Sequence, residues 1–385
     1  MTPAANGIEP FRVEVSDAAL ADLHERLDRT RWPEPETTRA GPDPWAQGVP
    51  IAWLRDIADH WRHRYDWRDR EARLNAIPQF RTSIDGLGLH YLHVVSPEPD
   101  ALPLLLTHGW PGSVVEFLQV LGPLTDPRAY GDDPRDAFTV VAPSLPGYGF
   151  SDRPTEPGWN VERMARSEIA LMARLGYGRY AAQGGDWGSM ITAAIGTQDP
   201  EHVAGIHLTM PVVRPGTDID KLTASEQQAL ADYDWHRKVG TGYSKEQSTR
   251  PQTIGYSLVD SPVGQAAWIL EKFQMWTDGG PLPDDVIDRD TLLDNVMLYW
   301  LPATGASSAR LYWESFVRPA VDPVSVPTGV SVFPKELFRF PRRWVEQRFT
   351  DLRYWNELDR GGHFAALEQP ETFVEELRTF FRLVR

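Results

Sequence analysis

Apolar positions fall into blocks of different spacing along the chain, and each spacing predicts a different kind of structure. In SDAALADLHERLDRTRW, Leu20, Leu23 and Leu27 recur at helical intervals, with Ser16 placed as the N-cap. Trp32-Pro33 ends that pattern, and the Pro- and Gly-rich stretch from Pro35 to Pro50 reads as an ordered loop. Trp53, Ile57 and Trp61 then mark a second helix in IAWLRDIADHWRHRYDW. From Phe80 the period drops to two. FRTSIDGLGLHYLHVV alternates on both sides of Asp85-Gly86, a β-hairpin signal. LPLLLTHGW and FTVVAPSLPGYGFSD are continuous apolar runs ending in Gly- and Pro-rich loops, as strands buried on both faces do. The helix VERMARSEIALMARLGY, the strand RYAAQGGD and the helix WGSMITAAIGTQ follow. TGVSVF and PETFVEELRTFFRLV supply a late strand and a closing helix. Strands alternating with helices predict an α/β class with a mostly parallel central sheet. Between about Val212 and Pro319 the strand pattern stops, and SPVGQAAWILEKFQMW and DTLLDNVMLYWL carry helical spacing. The expected division is an N-terminal helical meander over 1–80, an α/β core over 81–211 and 321–385, and an inserted helical cap over 212–320.

Composition narrows the function classes. The length of 385 residues fits two domains, or one large domain with an insertion. Hydrophobic residues at 41% and charged residues at 24% are ordinary for a soluble globular chain. No run approaches the roughly 18 apolar residues of a membrane span. MTPAANGIEPF has no basic segment followed by an apolar one, so no secretory leader and a cytoplasmic location are expected. The absence of cysteine excludes disulfides, thiolate metal sites and Cys nucleophiles. A net charge of 39 − 54 = −15 argues against nucleic-acid binding and against a polybasic membrane contact.

The chemistry concentrates in Gly184-Gly185-Asp186-Trp187-Gly188, between a predicted strand and a predicted helix. This is the G-x-nucleophile-x-G elbow of α/β-hydrolases with Asp where serine hydrolases carry Ser. Taken alone it could be a Gly-rich turn with an Asp N-cap. His108-Gly109-Trp110-Pro111 tells against that, because it closes the buried strand LPLLLT where α/β-hydrolases place an oxyanion-hole loop. The N–H groups of Trp110 and Trp187 are the two expected donors, with His108, Gly109 and Pro111 bordering the substrate pocket. His363, flanked by Gly361-Gly362 before the last helix, completes the chain order nucleophile, acid, His. Glu336, directly after TGVSVF, is the expected acid; Asp322, Asp351 and Asp359 compete with it less well by position. The near pairs His60/His63 and His90/His93 lack a third ligand and read as non-metal.

A carboxylate nucleophile displaces at saturated carbon and leaves an alkyl ester that water must cleave. The oxyanion hole then serves the second step, with His363 as general base and Glu336 orienting it. Such enzymes open epoxides or carbon–halogen bonds, and need neither metal nor organic cofactor.

Together these motifs resemble the microsomal-type epoxide hydrolases of the α/β-hydrolase superfamily, in their soluble form. The likeness runs through FRVEVSDAALADLHERLDRTRWPE, YDWRDREARLNAIPQF, HGWPGS, GGDWGS, STRPQTIGYSLVDSPVGQAAWILEKF and RGGHFAALEQPE. It implies the α/β-hydrolase fold with a helical cap, and Asp186, Glu336 and His363 as nucleophile, acid and base. It further implies two cap tyrosines that hold the epoxide oxygen, which fall on Tyr243 and Tyr312; Tyr256 is a rival. Membrane-bound relatives begin with an apolar anchor, and this sequence shows none. Similar chains in actinobacterial natural-product pathways, including enediyne pathways, point to a bulky apolar or aromatic epoxide, and a homodimer is compatible. Two other classes compete: a haloalkane dehalogenase, which would bind halide on an indole such as Trp187, and a ligand-binding protein without catalysis. An isomerase that opens the ring without external water is a third.

Overall fold

The computed structural model describes residues 7–37, 43–214, 222–316 and 322–385. A short strand, β1 (Ile8–Pro10), precedes three helices: α1 (Asp17–Asp28), α2 (Ile51–His63) and α3 (Trp67–Asn75). Ser16 caps α1 as expected, accepting from the Ala19 N–H. The second predicted helix ends at His63, short of its expected end, and a further helix that was not expected follows it. Asp66 turns extended and accepts from the Arg68 and Asp69 N–H groups, which starts α3 afresh.

The hairpin follows as β2 (Gln79–Ile84) and β3 (Leu87–Val94), turning at Asp85 and Gly86 with φ of 51° and 75°. The alternating units are β4 (Leu102–Thr107), α4 (Leu118–Thr125), β5 (Phe138–Pro143), α5 (Val161–Arg174), β6 (Tyr180–Gly184), α6 (Trp187–Gln198) and β7 (Val203–Leu208). The helices α7 (Ala224–Trp235), α8 (Gly242–Thr249), α9 (Pro251–Asp260), α10 (Pro262–Trp276), α11 (Arg289–Trp300) and α12 (Gly305–Ser315) come next. The chain returns through β8 (Thr328–Val332), α13 (Arg342–Arg348), β9 (Leu352–Glu357), α14 (Ala365–Glu368) and α15 (Pro370–Phe381). The expected boundary at 320–321 lies outside the described residues, as do Pro319, part of the Pro35–Pro50 loop and the first residues of the chain.

All nine strands form one sheet in the order β1-β2-β3-β5-β4-β6-β7-β8-β9. Pairing is antiparallel from β1 to β5 through β3, and parallel from β5 to β9. Three of these strands were absent from the sequence-based expectation. β1 is too short to show a period. β7, VAGIHL, is buried throughout but carries Gly and His in its middle. β9, LRYWNE, lies at the sheet edge and is only half-buried, so its apolar signal is weak.

The central strands are dry: Leu104, Leu105, Val140, Val141, Ala181, Ala182 and Ile206 have no exposed surface. α5 packs on α6 and α4 on α15, which gives the sheet its helical cover. Because β4, β6, β8 and β9 run parallel, the loops after them emerge at the same end of the sheet. No described helix is long and apolar enough to cross a membrane.

The N-terminal helices grip α11 and the segment before it. Arg70 pairs with the Asp294 carboxylate, its Nε 2.9 Å from both oxygens, and the Tyr65 hydroxyl donates to the same group at 2.8 Å. The Trp53 indole donates to Asp284 at 2.9 Å, and His60 Nε2 lies 2.7 Å from Asp290.

Candidate active site

At the end of β6 the backbone turns sharply enough to hold Asp186 at φ 50°, ψ −128°. A non-glycine residue there carries roughly 1–3 kcal/mol of strain, which the surrounding packing must hold. The two outer glycines are steric requirements. A Cβ on Gly184 would lie 2.1 Å from the Gly188 carbonyl oxygen, and one on Gly188 would lie 2.0 Å from that of Thr107. Gly109 makes room in the same way, since its Cβ would fall 2.3 Å from Asp186 Oδ1.

Asp186 is 9% exposed. Its Oδ1 accepts from the Trp110 N–H at 2.9 Å, and its Oδ2 lies 3.4 Å from His363 Nε2. His363 Nδ1 lies 2.6 Å from Glu336 Oε1, and the His363 N–H is tied to the Trp276 carbonyl at 2.9 Å. Glu336 Oε1 also accepts from the Leu337 N–H at 2.7 Å. Burial pushes the His363 imidazole down, but Glu336 and Asp186 outweigh it and hold the pKa well above the usual value. The two carboxylates thus favour the protonated ring in the resting site.

The strand that precedes His363 is β9, with β8 and α13 before it, so Glu336 and His363 follow adjacent parallel strands. The rival acids point elsewhere. Asp351 pairs with Arg353 at 2.8 Å on the surface, and Asp359 is exposed. Asp322 is exposed as well.

Not every expected contact forms. The Trp187 N–H makes no hydrogen bond to Asp186; as the first N–H of α6 it stays available to an oxyanion built on that carboxyl. His108 was expected at the pocket wall, yet both ring nitrogens are used by the backbone. Its Nε2 accepts from the Leu145 N–H at 3.2 Å and its Nδ1 faces the Gly109 carbonyl at 2.9 Å. Burial lowers its pKa to about 4, so a neutral ring braces the loop. Pro111, after a cis peptide bond, turns its carbonyl to the Asn295 amide at 2.7 Å.

Aromatic rings enclose the space above Asp186. Tyr243, from α8, stacks on Trp110 at 5.1 Å with 11° between the planes. Tyr312, from α12, meets Trp187 edge-on at 4.7 Å and Tyr243 at 5.9 Å. Trp276 packs against His363 at 4.9 Å. Burial, reinforced by Asp186, raises the Tyr243 phenol, and burial with Tyr243 and Asp186 raises that of Tyr312. Both are neutral O–H donors at any physiological pH. Tyr256 is 71% exposed and takes no part.

Several residues at the site carried no local signal in the sequence. Ser113 donates to Asn295 Oδ1 at 2.7 Å and Tyr299 to the Gly112 carbonyl at 2.6 Å, so α11 clamps the loop that carries Trp110. Glu116 lies over Gly112, and burial pushes its pKa up to about 8. Held mostly neutral at pH 7, it spares the site a third anion. Trp276 and Lys272 lie in the LEKFQMW stretch of α10, where helical periodicity alone marks them as core.

Open volume also lies away from this chemistry. A surface groove of about 1110 Å³ runs past Arg153, Arg250 and Trp313, and a cavity of about 240 Å³ beside His236 and Trp276 reaches Glu336. Convergent polar groups in a closed, aromatic-walled space are better evidence of a reaction centre than volume. Among the described residues no group of three His, Asp or Glu is set to hold a metal ion.

Comparison with known proteins adds a second line. The family model described as epoxide hydrolase N terminus matches residues 8–117, and that of the alpha/beta hydrolase fold matches residues 103–239. A relative from Stigmatella aurantiaca named "Putative epoxide hydrolase" is 54% identical over 387 residues, covering 98% of this chain and 86% of the relative. Epoxide hydrolase 1 of Sus scrofa is 38% identical over 417 residues, covering 99% of this chain and 91% of its own length. The structure of Aspergillus niger epoxide hydrolase aligns with a TM-score of 0.88 at 35% identity, covering 100% of this chain and 98% of that one.

Proposed function

The chain belongs to the epoxide hydrolase family of the α/β-hydrolase fold, and on that footing we propose that Asp186, His363, Glu336, Tyr243 and Tyr312 turn an epoxide into a vicinal diol in two steps. In the first, an Asp186 oxygen attacks one ring carbon. The ring C–O bond breaks, its electron pair stays on oxygen, and a tyrosine O–H protonates that oxygen as charge develops. The product is an alkyl ester of Asp186.

Esterification also changes the base. Asp186 loses its negative charge, so one of the two anions that hold His363 protonated disappears. The imidazole pKa falls and its proton can pass to the phenolate left by ring opening, which restores the tyrosine. Neutral His363, steadied by Glu336, then takes a proton from water, whose oxygen attacks the ester carbonyl. The tetrahedral oxyanion is received by the Trp110 N–H, already 2.9 Å from Asp186 Oδ1, and by the free Trp187 N–H. On collapse the ester C–O bond breaks, the leaving alkoxide takes the proton held by His363, and the Asp186 carboxylic acid returns a proton to the imidazole, which frees the diol and restores the carboxylate. Every proton moves between groups of the chain, substrate and water.

The observation that carries this reading is the continuous line Asp186–His363–Glu336, at 3.4 and 2.6 Å, beneath two buried phenols. The phenols favour an epoxide over a haloalkane, because a halide leaves without a proton. The aromatic walls, Trp110, Trp187 and Phe316 among them, favour an apolar or aromatic substrate. A single turnover in ¹⁸O-water tests the ester. The first diol should carry unlabelled oxygen from Asp186; full labelling of that first diol would mean that water attacks the epoxide directly.

A further inference from the structure

Lysine is seldom buried without good partners, because removing an ammonium from water costs several kcal/mol. Lys272 on α10 is 3% exposed. Its ammonium pairs with the carboxylate of the preceding residue, Glu271, and makes no other hydrogen bond among the described residues. Two aromatic rings lie close to it. Nζ lies 4.6 Å from the centroid of the Tyr243 ring and 5.9 Å from that of Trp276. Trp110, the oxyanion-loop residue, stacks on the same Tyr243 ring. His236 is the other titratable group on which the Lys272 charge acts; burial and that charge hold the imidazole low, at about 4. A neutral His236 leaves Glu271, whose carboxylate on its own raises the Tyr243 phenol, and the Tyr243 and Trp276 rings as the groups that face the ammonium.

We propose that Lys272 is a positioning residue for ring opening, whose ammonium over the Tyr243 ring strengthens that phenol as the proton donor to the epoxide oxygen. This rests on the reading of Tyr243 as an acid. As the ring C–O bond breaks and the Asp186–carbon bond forms, the Tyr243 proton passes to the substrate oxygen. Negative charge then appears on the phenol oxygen and spreads into the ring. A cation over the ring attracts this developing phenolate more strongly than it attracts the neutral phenol. Its effect is greatest in the transition state, which is where stabilisation raises rate. Lys272 gives up no proton itself. Burial lowers its own pKa from the usual lysine value, so its charge is lost on the alkaline side before that of an ordinary lysine.

The test compares Lys272→Met, Lys272→Arg, Tyr243→Phe and the Lys272→Met/Tyr243→Phe double variant. Alkylation and ester hydrolysis are followed separately in single turnovers across pH. Lys272→Met should slow alkylation by roughly 10-fold or more and leave ester hydrolysis unchanged. In the Tyr243→Phe background the same substitution should add little, because its effect passes through the phenol. Wild-type alkylation should fall at alkaline pH as Lys272 loses its proton. Lys272→Arg should keep much of the rate and lose that fall, since a guanidinium does not deprotonate. Equal slowing of both steps, or an undiminished effect in the Tyr243→Phe background, would make Lys272 a structural residue and overturn the proposal. So would an alkaline limb unchanged in Lys272→Arg, which can be read even if Lys272→Met does not fold. Wild-type alkylation in Tyr243→Phe would show that the acid reading itself had failed.

Discussion

Asp186 and Tyr243 are almost equally buried, at 9% and 8% exposure, yet they are held by different means. Asp186 is fixed by its own neighbours. The strained backbone, the two glycines and the start of α6 all lie within a few residues, and they would expose a side chain here whatever stood above it. Tyr243 is fixed from afar. Trp110, Trp276, Lys272 and Tyr312 pack around it from three other segments of the chain. The loops at the strand ends thus set Asp186, His363 and Glu336 locally, while the helices above them set Tyr243 and Tyr312 collectively. Local devices tolerate distant substitutions; a collective one transmits them.

The largest effect that this contrast predicts is at the nucleophile. Asp186→Ala should lower diol formation by about 10⁴-fold or more, with the thermal unfolding midpoint preserved or raised, because the substitution removes the covalent step but no packing. A variant with appreciable turnover would show that the elbow is only a turn.

Next come the phenols. Tyr243→Phe or Tyr312→Phe should each slow alkylation by roughly 10²-fold, the range of one positioned acid, and the pair should be nearly inactive on epoxides. Stopped-flow quenching of tryptophan fluorescence reads the step. Near-normal alkylation in the double variant would reduce both residues to packing.

Glu336→Gln should have a smaller effect, confined to ester hydrolysis. It keeps a hydrogen-bond partner for His363 Nδ1 but removes one of the charges that raise the imidazole. The sign follows: with less opposing charge the imidazolium loses its proton at lower pH. The rise of the hydrolysis rate with pH should therefore shift to the acid side of wild type. Asp359→Asn, at an exposed position, should behave as wild type. The reverse outcome for the two variants would move the acid to Asp359.

The last effect is indirect. Arg70→Met leaves the Asp294 carboxylate buried without its cation, which costs about 3 kcal/mol. Denaturant unfolding should register that loss, while turnover per folded molecule changes little, because the pair lies two contacts away from Trp110. A large fall in kcat with normal stability would mean that the N-terminal helices tune the site directly.

The same contrast explains what the sequence disclosed. The elbow, the HGWP loop and the Gly-flanked His363 were legible because each needs particular residue types at fixed spacing. Glu336 was legible by position after TGVSVF, although α13 and β9 intervene before His363. Tyr243 and Tyr312 were not legible from spacing at all. Among twelve tyrosines only the likeness to a family singled them out, because their role depends on packing between distant helices. The clamp of Asn295 and Tyr299 on the Trp110 loop, and the aromatic setting of Lys272, escaped for the same reason. His108 shows the converse: a motif residue beside the nucleophile whose ring serves the backbone.

The central claim is that Asp186 carries the substrate as an ester that His363 releases. His363→Gln, incubated with an epoxide and examined by intact-mass and peptide-mass analysis, tests it most directly. Alkylation needs the Asp186 carboxylate and the phenols, which this variant keeps; ester hydrolysis needs the base, which it lacks. The variant should gain the mass of one substrate molecule, located on the peptide that contains Asp186, and should release diol far more slowly than it gains the adduct. Loss of both adduct formation and turnover in a folded variant, or an adduct on a peptide without Asp186, would contradict the account.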